Sequence, residues 1–368
     1  VAVATTYFGV NDPLAVKLWS KRLSVEALKA TWIYRFIGEN SDAMIMVKDE
    51  TSKSAGDQIT YGLRMQLAGN GTIGDGVLEG NEEALTTFSD ALIIDQLRHA
   101  VRTAGRMSQQ RVPFSVRDEA LAGLKDWWAD RIDWSGFNQL CGNVGPSGSF
   151  AAVAPAGIDP RWTGLQSPVA ADAGHYSNPN ATPTDDSTIV AANIFSLSMI
   201  DKAVERAKTL TPAIRPIVVA GKRFYICWLH PYQVTDIRTN TSTGQWLDIQ
   251  KAAMTGGLVD ENPIFDGSLG VYNGTILYED ARVTMGFNPG AGNTQITTVR
   301  RAVFAGAQAA MIGFGRDNGP NKYTWVEELF DYENQLGVSA GLIFGLKKTR
   351  FNNSDFATIV LSSYAVAH

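Results

Sequence analysis

From Gln58 the residues alternate strictly: Ile59, Tyr61, Leu63, Met65 and Leu67 are apolar, and Gln58, Thr60, Gly62, Arg64 and Gln66 separate them. A period of two puts the apolar set on one face of a strand. Gly69 to Glu83 then carries five glycines and four acids, and strand-like sequence resumes over 85–101. Two such runs around a polar, glycine-rich tip predict an extended hairpin. A strand of about eleven residues reaches roughly 36 Å, whereas a compact chain of 368 residues has a radius of gyration of about 21 Å. A hairpin of that reach crosses the whole molecule or projects from it. If it projects, its apolar face needs cover from another chain.

Around the hairpin the period is helical. Over 12–37, Leu14, Leu18, Val25, Leu28, Trp32 and Phe36 fall on one stripe, with Asp12 and Pro13 to start a helix and Gly38 to end it. Two readings fit: a surface helix that covers the core, or an N-terminal arm that packs on a neighbouring subunit. Residues 113–140 predict the longest helix, opened by Ser115 with Asp118 and closed by Gly142. Its stripe is Leu121, Leu124, Trp128 and Ile132, and helical spacing makes its tryptophans core rather than a stacking platform. Residues 142–190, rich in glycine, proline, alanine and serine, read as a long irregular connection and a boundary. Beyond them a helix is expected over 193–209 and a strand over 217–229. Further expectations are a helix over 245–255, short strands within 274–285 and 297–314, and a last strand over 356–364. Irregular alternation of helix and strand gives an α+β class.

Composition excludes several functions. The 45% hydrophobic and 19% charged fractions are globular, and the length suits two or three domains. No apolar run approaches the ~18–20 residues of a membrane span. Val1–Phe8 lacks a basic head before an apolar stretch, so no secretory signal is expected there; removal of an earlier leader stays open. A net charge of −5 argues against a basic nucleic-acid-gripping face. Cys141 and Cys227 suggest reduced thiols, and the four scattered histidines have no i,i+4 pair, so no metal site is expected.

No catalytic constellation emerges. Gly69-Asn70-Gly71-Thr72-Ile73-Gly74 fits a dinucleotide fingerprint, but Gly76 and Gly80 oppose the helix it requires, and four acids would repel phosphate. No cofactor is expected. Cys141 and His230 would need folding to become a nucleophile and its base. The acid pairs Asp185/Asp186 and Glu327/Glu328 read as solvated surface, and Lys347-Lys348-Thr349-Arg350 as a solvated turn or an inter-subunit ion pair.

Several segments, in order, carry a resemblance: Asn11-Asp12-Pro13-Leu14-Ala15-Val16-Lys17-Leu18-Trp19-Ser20, Lys53-Ser54-Ala55-Gly56-Asp57, Leu78-Glu79-Gly80-Asn81-Glu82-Glu83, Asp95-Gln96-Leu97-Arg98-His99-Ala100, Gln110-Arg111-Val112-Pro113-Phe114, Trp325-Val326-Glu327-Glu328-Leu329-Phe330-Asp331-Tyr332 and Gly345-Leu346-Lys347-Lys348-Thr349-Arg350-Phe351-Asn352. Together they resemble the major capsid proteins of tailed bacteriophages, of a branch known in podoviruses. The likeness is thin across 143–190.

The resemblance implies the Hong Kong-type capsid fold. It would comprise an N-terminal arm (1–45), an extended loop (46–106), a peripheral domain with a spine helix (107–190), an axial domain (191–340) and a C-terminal return to the peripheral domain (341–368). It implies a non-enzymatic role: pentamers and hexamers of the chain closing into an icosahedral virion head around double-stranded DNA, assembled in the host cytoplasm. Portal protein and scaffolding or decoration proteins would be partners, and no membrane. On that reading Ile59, Tyr61, Leu63, Met65 and Leu67 are expected at subunit contacts, so that Leu63→Asp would leave a soluble subunit that forms no shell. Leu14, Leu18, Leu28, Trp32 and Phe36 are expected to pack the arm. Lys48 or Lys53 could donate to a crosslink, but no acceptor is assigned. The alternatives are an encapsulin-like compartment of the same fold and, from another class, a cytosolic hydrolase using Cys141 or His230.

Overall fold

In a computed structural model, the described residues are 32–48, 56–107 apart from 66 and 68, 116–144, 166–180, 185–239 apart from 220, and 268–368 apart from 317, 320 and 321. The strand Gln335–Lys348 organises the first of two large sheets. On one edge it pairs antiparallel with Thr324–Phe330 and then Ala310–Phe314; on the other with Asp95–Arg102. Ile45–Lys48 and Ile37–Gly38 extend this sheet in parallel. Alternation sorts the faces of the long strand. Val338, Ala340, Leu342, Phe344 and Leu346 are buried on one, and Gly337, Ser339, Gly341, Ile343 and Gly345 occupy the other.

Helix α1 (Val116–Leu140) packs against the first face. Its stripe of Leu121, Leu124, Trp128 and Ile132 is buried, and Trp128 meets Phe344 and Tyr323 edge-on. The last two turns are enclosed on every side, with Asp133, Ser135, Asn138 and Gln139 buried beside Phe137 and Leu140. Gly142 closes the helix at φ +60°, where its N–H reaches Gln139 O (3.1 Å) and Asn143 N–H reaches Asn138 O (2.9 Å). Only a residue without a Cβ takes that left-handed position at little cost.

The second sheet runs Tyr176–Ser177, Thr358–Tyr364, Thr294–Ala305, Lys222–Leu229, Thr275–Glu279, Ser268–Tyr272, with two short flanking strands. Helix α2 (Leu197–Thr209) is amphipathic, burying Leu197, Ile200, Ala203, Val204 and Ala207. Helix α3 (Pro231–Thr239) starts with proline, whose missing N–H costs nothing at that position. One apolar core joins both sheets: Trp228 of the second packs edge-on against Phe137 of α1 and against Phe36.

Several expectations change. The helix expected over 12–37 lies outside the described residues up to Thr31, and Ile33–Phe36 form one 3-10 turn followed by the strand Ile37–Gly38. Tertiary contacts override the periodicity here. The Asp133 carboxylate accepts the N–H groups of Trp32 (3.1 Å) and Ile33 (3.0 Å), and Phe36 drops between Trp228 and Tyr278. Gly38 therefore ends no helix. The strand over 217–229 is a small hairpin, Ile217–Val219 with Lys222–Leu229, and the helix over 193–209 begins at Leu197. The expected helix over 245–255 lies outside the described residues. Ala310–Phe314, Thr324–Phe330 and Gln335–Lys348 belong to the sheet under α1, and the last strand, Thr358–Tyr364, belongs to the other. Of the supposed connection 142–190, the segment 166–180 packs inward. Gln166 and Tyr176 are buried, and Tyr176–Ser177 pair with Val360–Leu361.

Candidate subunit-contact surface

The hairpin is real but its ladder is shorter than the sequence suggests. Gln58–Arg64 pairs with Thr87–Ile93 in a seven-residue register, from Gln58 opposite Ile93 to Arg64 opposite Thr87. That is about 23 Å of strand. The return strand bends at Ile94, whose N–H bonds Asp57 O (2.9 Å), and continues as Asp95–Arg102 into the first sheet.

The base of the hairpin sits on a flat spot made by glycine. Gly313 and Gly345 are direct register partners in adjacent strands. A Cβ at Gly313 would lie 2.8 Å from Leu92 Cδ2 and 3.0 Å from Ile59 Cδ1, and one at Gly345 would lie 2.2 Å from Ile93 O. Without side chains there, Ile59, Tyr61 and Leu92 close onto Met311 and Phe351 as a second apolar cluster, which Met46, Leu63, Phe88 and Phe356 border. A small cavity of about 180 Å3 remains between Leu63, Met65, Phe88, Pro212 and Phe356.

Asp90 rivets this base. Its carboxylate accepts the Tyr61 hydroxyl (2.8 Å), the Lys347 ammonium and the Arg350 N–H (3.3 Å). Burial first, and then the adjacent Asp90 charge, push the Tyr61 phenol far above its ordinary range, so it stays a donor.

Beyond Arg64 and Thr87 the described residues of the loop form turns and no helix or strand. Gly76 N–H reaches Ile73 O (3.4 Å) and Asn81 N–H reaches Leu78 O (2.9 Å), with Gly71, Gly74 and Gly80 at positive φ. Glu83 accepts Gly69 N–H (2.7 Å) and Glu82 accepts Gly80 N–H (2.8 Å). The apolar residues of this tip face solvent: Ile73 is 89% exposed, Val77 69%, Leu78 58%, Leu67 57% and Leu85 57%. Five large apolar side chains on one short segment form the kind of patch that marks an interaction site. Residues 65–86 contain four acids and no lysine or arginine.

The expected contact residues thus separate. Ile59 and Tyr61 are covered by their own chain, Leu63 and Met65 are half-buried at the cavity, and Leu67 alone is exposed. Leu63→Asp would place a carboxylate at the cavity lined by Phe88 and Phe351, so it perturbs the hairpin's seat as well. Sequence reasoning missed Ile73, Val77, Leu78 and Leu85; their signal was large apolar residues among glycines and acids, without a period. Of the arm residues, Trp32 and Phe36 pack inside the chain's own core, while Leu14, Leu18 and Leu28 lie outside the described residues. Lys48 sits in a strand, and Lys53 lies outside the described residues.

The charged runs also turn inward. Lys348 is 1% exposed and binds Asp355 (2.6 Å) and Val169 O (3.1 Å), and Arg350 meets the other Asp355 oxygen (2.9 Å). They are neither a solvated turn nor an inter-subunit pair. Glu327 is buried against Arg117 (2.6 Å) and Trp325 (2.9 Å) while Glu328 is exposed, because neighbours on a strand point to opposite faces. Asp186 is likewise buried, accepting the Tyr176 hydroxyl (2.8 Å). Both cysteines are buried, and burial pushes the Cys227 thiol far up. His230 is pushed down to about 4 by burial and Arg300. Among the described residues no His/Cys/Asp/Glu group suits a metal, and no helix is long and apolar enough to cross a membrane.

The family described as phage capsid protein matches residues 7–367. The chain is 30% identical to the major capsid protein of Pseudomonas phage KPP25, over 93% of each chain. Its structure is similar to the capsid of Ralstonia phage GP4, with a TM-score of 0.77 and 33% identity over 99% of each chain. It is similar in fold to the capsid subunit of Cyanophage Pam1, with a TM-score of 0.69 at 15% identity, over 100% of this chain and 96% of that one.

Proposed function

Because this chain belongs to the phage capsid protein family, we propose that it holds its neighbours in the shell chiefly through the tip of its extended loop. The chain is a major capsid protein of a tailed phage, with the Hong Kong-type capsid fold, and it builds the icosahedral head of the virion. In the proposed mechanism, copies associate as pentamers and hexamers in the host cytoplasm. They close around double-stranded DNA without reading its sequence, with a portal protein at one vertex and scaffolding or decoration proteins as accessory partners. The role is structural rather than catalytic.

The observation that carries the mechanism is the pairing of a fixed base with an uncovered tip. The ladder is locked by Asp90 and the Gly313/Gly345 seat, yet Ile73, Val77, Leu78, Leu67 and Leu85 stand in solvent. Burying such side chains stabilises by ~25 cal/mol per Å2 of apolar surface, which one chain forgoes and a second supplies. The arm (1–45) and the loop (46–106) keep their bounds in this reading. Sheet membership supports a peripheral unit of α1 with 310–348, and an axial unit around the eight-stranded sheet that includes 358–364.

The test is Ile73→Asp with Leu78→Asp, studied by sizing and negative-stain microscopy. The subunit is expected to stay folded, since both side chains are exposed, and to form no closed shell. Normal shells would refute the mechanism, and particles loaded with a cargo protein and no DNA would favour an encapsulin-like compartment.

A further inference from the structure

An open cavity of about 470 Å3 lies at the C-terminal end of α2, with Val204, Ile214 and Tyr225 as its apolar lining and Lys208, Arg215 and Arg223 around them. Its size falls within the range of ligand-sized clefts, about 300–1,000 Å3. Among the described residues no acidic side chain lines it. All three cations are exposed, and among the described residues none forms an ion pair; Arg215 donates a hydrogen bond to Ser41 O (3.3 Å). Some basic side chains elsewhere are matched, as in Arg117–Glu327, Arg282–Asp133, Lys347–Asp90 and Lys348–Asp355. Three cations thus gather around one apolar floor in a chain of net charge −5.

The loop tip is its chemical complement. It is apolar and acidic, it contains no basic residue, and among the described residues Asp75 and Glu79, both exposed, have no hydrogen-bond or ion-pair partner. The two turns at Ile73–Gly76 and Leu78–Asn81 place Asp75 and Glu79 beside Ile73, Val77 and Leu78. The chain's own tip does not occupy its own cavity, because Ile73 is 89% exposed.

We propose that the cavity between Lys208, Arg215 and Arg223 receives the loop tip of a second copy of this chain, Ile73–Glu79 entering over the apolar floor while Asp75 and Glu79 meet the three cations. The proposal rests on the reading that the tip contacts a neighbour, and adds the surface that accepts it. Complementary charge of this kind fixes partner and register and speeds encounter more than it adds affinity. Assembly should therefore be salt-sensitive, since exposed charges are screened over about 10 Å at 0.1 M salt.

The experiment is a charge swap in the full chain. Lys208→Glu with Arg223→Glu is expected to leave a folded subunit with unchanged sizing and melting, and to abolish closed shells. Adding Asp75→Lys and Glu79→Lys to the same chain is expected to restore them. Should reversal impair folding, the neutral pair Lys208→Gln with Arg223→Gln serves instead. It is expected to raise the subunit concentration needed for assembly about tenfold, equivalent to ~1.4 kcal/mol, and to weaken its salt dependence. Reversed cavities that assemble normally would overturn the proposal, as would swapped chains no better than the cavity variant alone. Reversed cavities that form normal shells retaining less DNA would assign the cations to a polyanion and overturn it too. If Ile73→Asp with Leu78→Asp blocks assembly while cavity reversal does not, the tip contact stands and this acceptor falls. If neither blocks it, both fall.

Discussion

Gly345→Ala tests whether the hairpin needs its glycine seat. A methyl group at this position would lie 2.2 Å from Ile93 O and 3.0 Å from Ile93 C, both backbone atoms that no rotamer change can move. Ordinary contact begins near 3.4 Å, so the return strand must retreat by at least about 1 Å. That retreat pulls Ile93 O from Gln166 Nε2, now 2.8 Å away, and strains the neighbouring Ile94 N–H bond to Asp57 O. Overpacking of this sort costs ~1–3 kcal/mol, and the loss of one partly buried hydrogen bond adds ~1 kcal/mol. The expected destabilisation is therefore ~2–4 kcal/mol, measured by denaturant unfolding of unassembled subunits. Gly123→Ala is the control: beyond the helix's own neighbouring backbone, no described atom lies within 4 Å of its added Cβ, and in a helix interior the change is expected to stabilise by ~0.5–1 kcal/mol. The seat also aims the loop, so Gly345→Ala is expected to yield misassembled or open particles even where subunits remain folded. Wild-type stability within ~0.5 kcal/mol together with normal shells would refute the reasoning.

Other consequences can be measured on the isolated subunit. Asp355→Asn leaves the Lys348 ammonium buried without its counter-charge and is expected to cost ~3–5 kcal/mol, whereas replacing Lys348 and Asp355 together by Met and Leu should cost much less; equal losses would contradict the ion-pair account. Burial, only partly offset by Arg282 and two backbone N–H groups, raises the Asp133 carboxyl from 3.8 to about 6. The folded state then holds its proton more tightly than the unfolded one, so Asp133's contribution to stability falls as pH rises from about 4 to about 6. Asp133→Asn should accordingly gain on wild type across that interval, and a wild-type advantage that grows instead would reverse the assignment. Tyr61→Phe removes one bond to Asp90 but leaves Lys347 and Arg350 there, so a loss of only ~1 kcal/mol in unfolding free energy is expected.

The hairpin was legible because its period is local: ten consecutive residues announce a strand with an apolar face. What period two cannot say is whose surface covers that face. Here Met311 and Phe351, about 250 and 290 residues along the chain, do so for Ile59 and Tyr61. The exposed tip was illegible for the opposite reason, since Ile73, Val77 and Leu78 have no repeat to set them apart. The 3-10 turn at Ile33–Phe36 depends on Asp133, one hundred residues away. The buried fate of Lys348 depends on Asp355 and a strand that alternates regardless of charge. Gly142 could be read as a helix stop because the left-handed cap is a one-residue requirement. Gly313 and Gly345 could not be read as a seat, because their role is a close approach between distant segments.

The return strand of the loop does not end at the hairpin; it bends at Ile94 and becomes a strand of the sheet that carries α1. Mechanically this makes the loop a lever whose fulcrum is the Gly313/Gly345 pair. A tilt of about 5° at the fulcrum moves the far end of a 23 Å ladder by about 2 Å. A closed surface built from one kind of subunit has regions of unequal curvature, and a few degrees of rocking would let the same tip follow them. The same rigid strand would carry the strain of a badly placed neighbour back beneath α1.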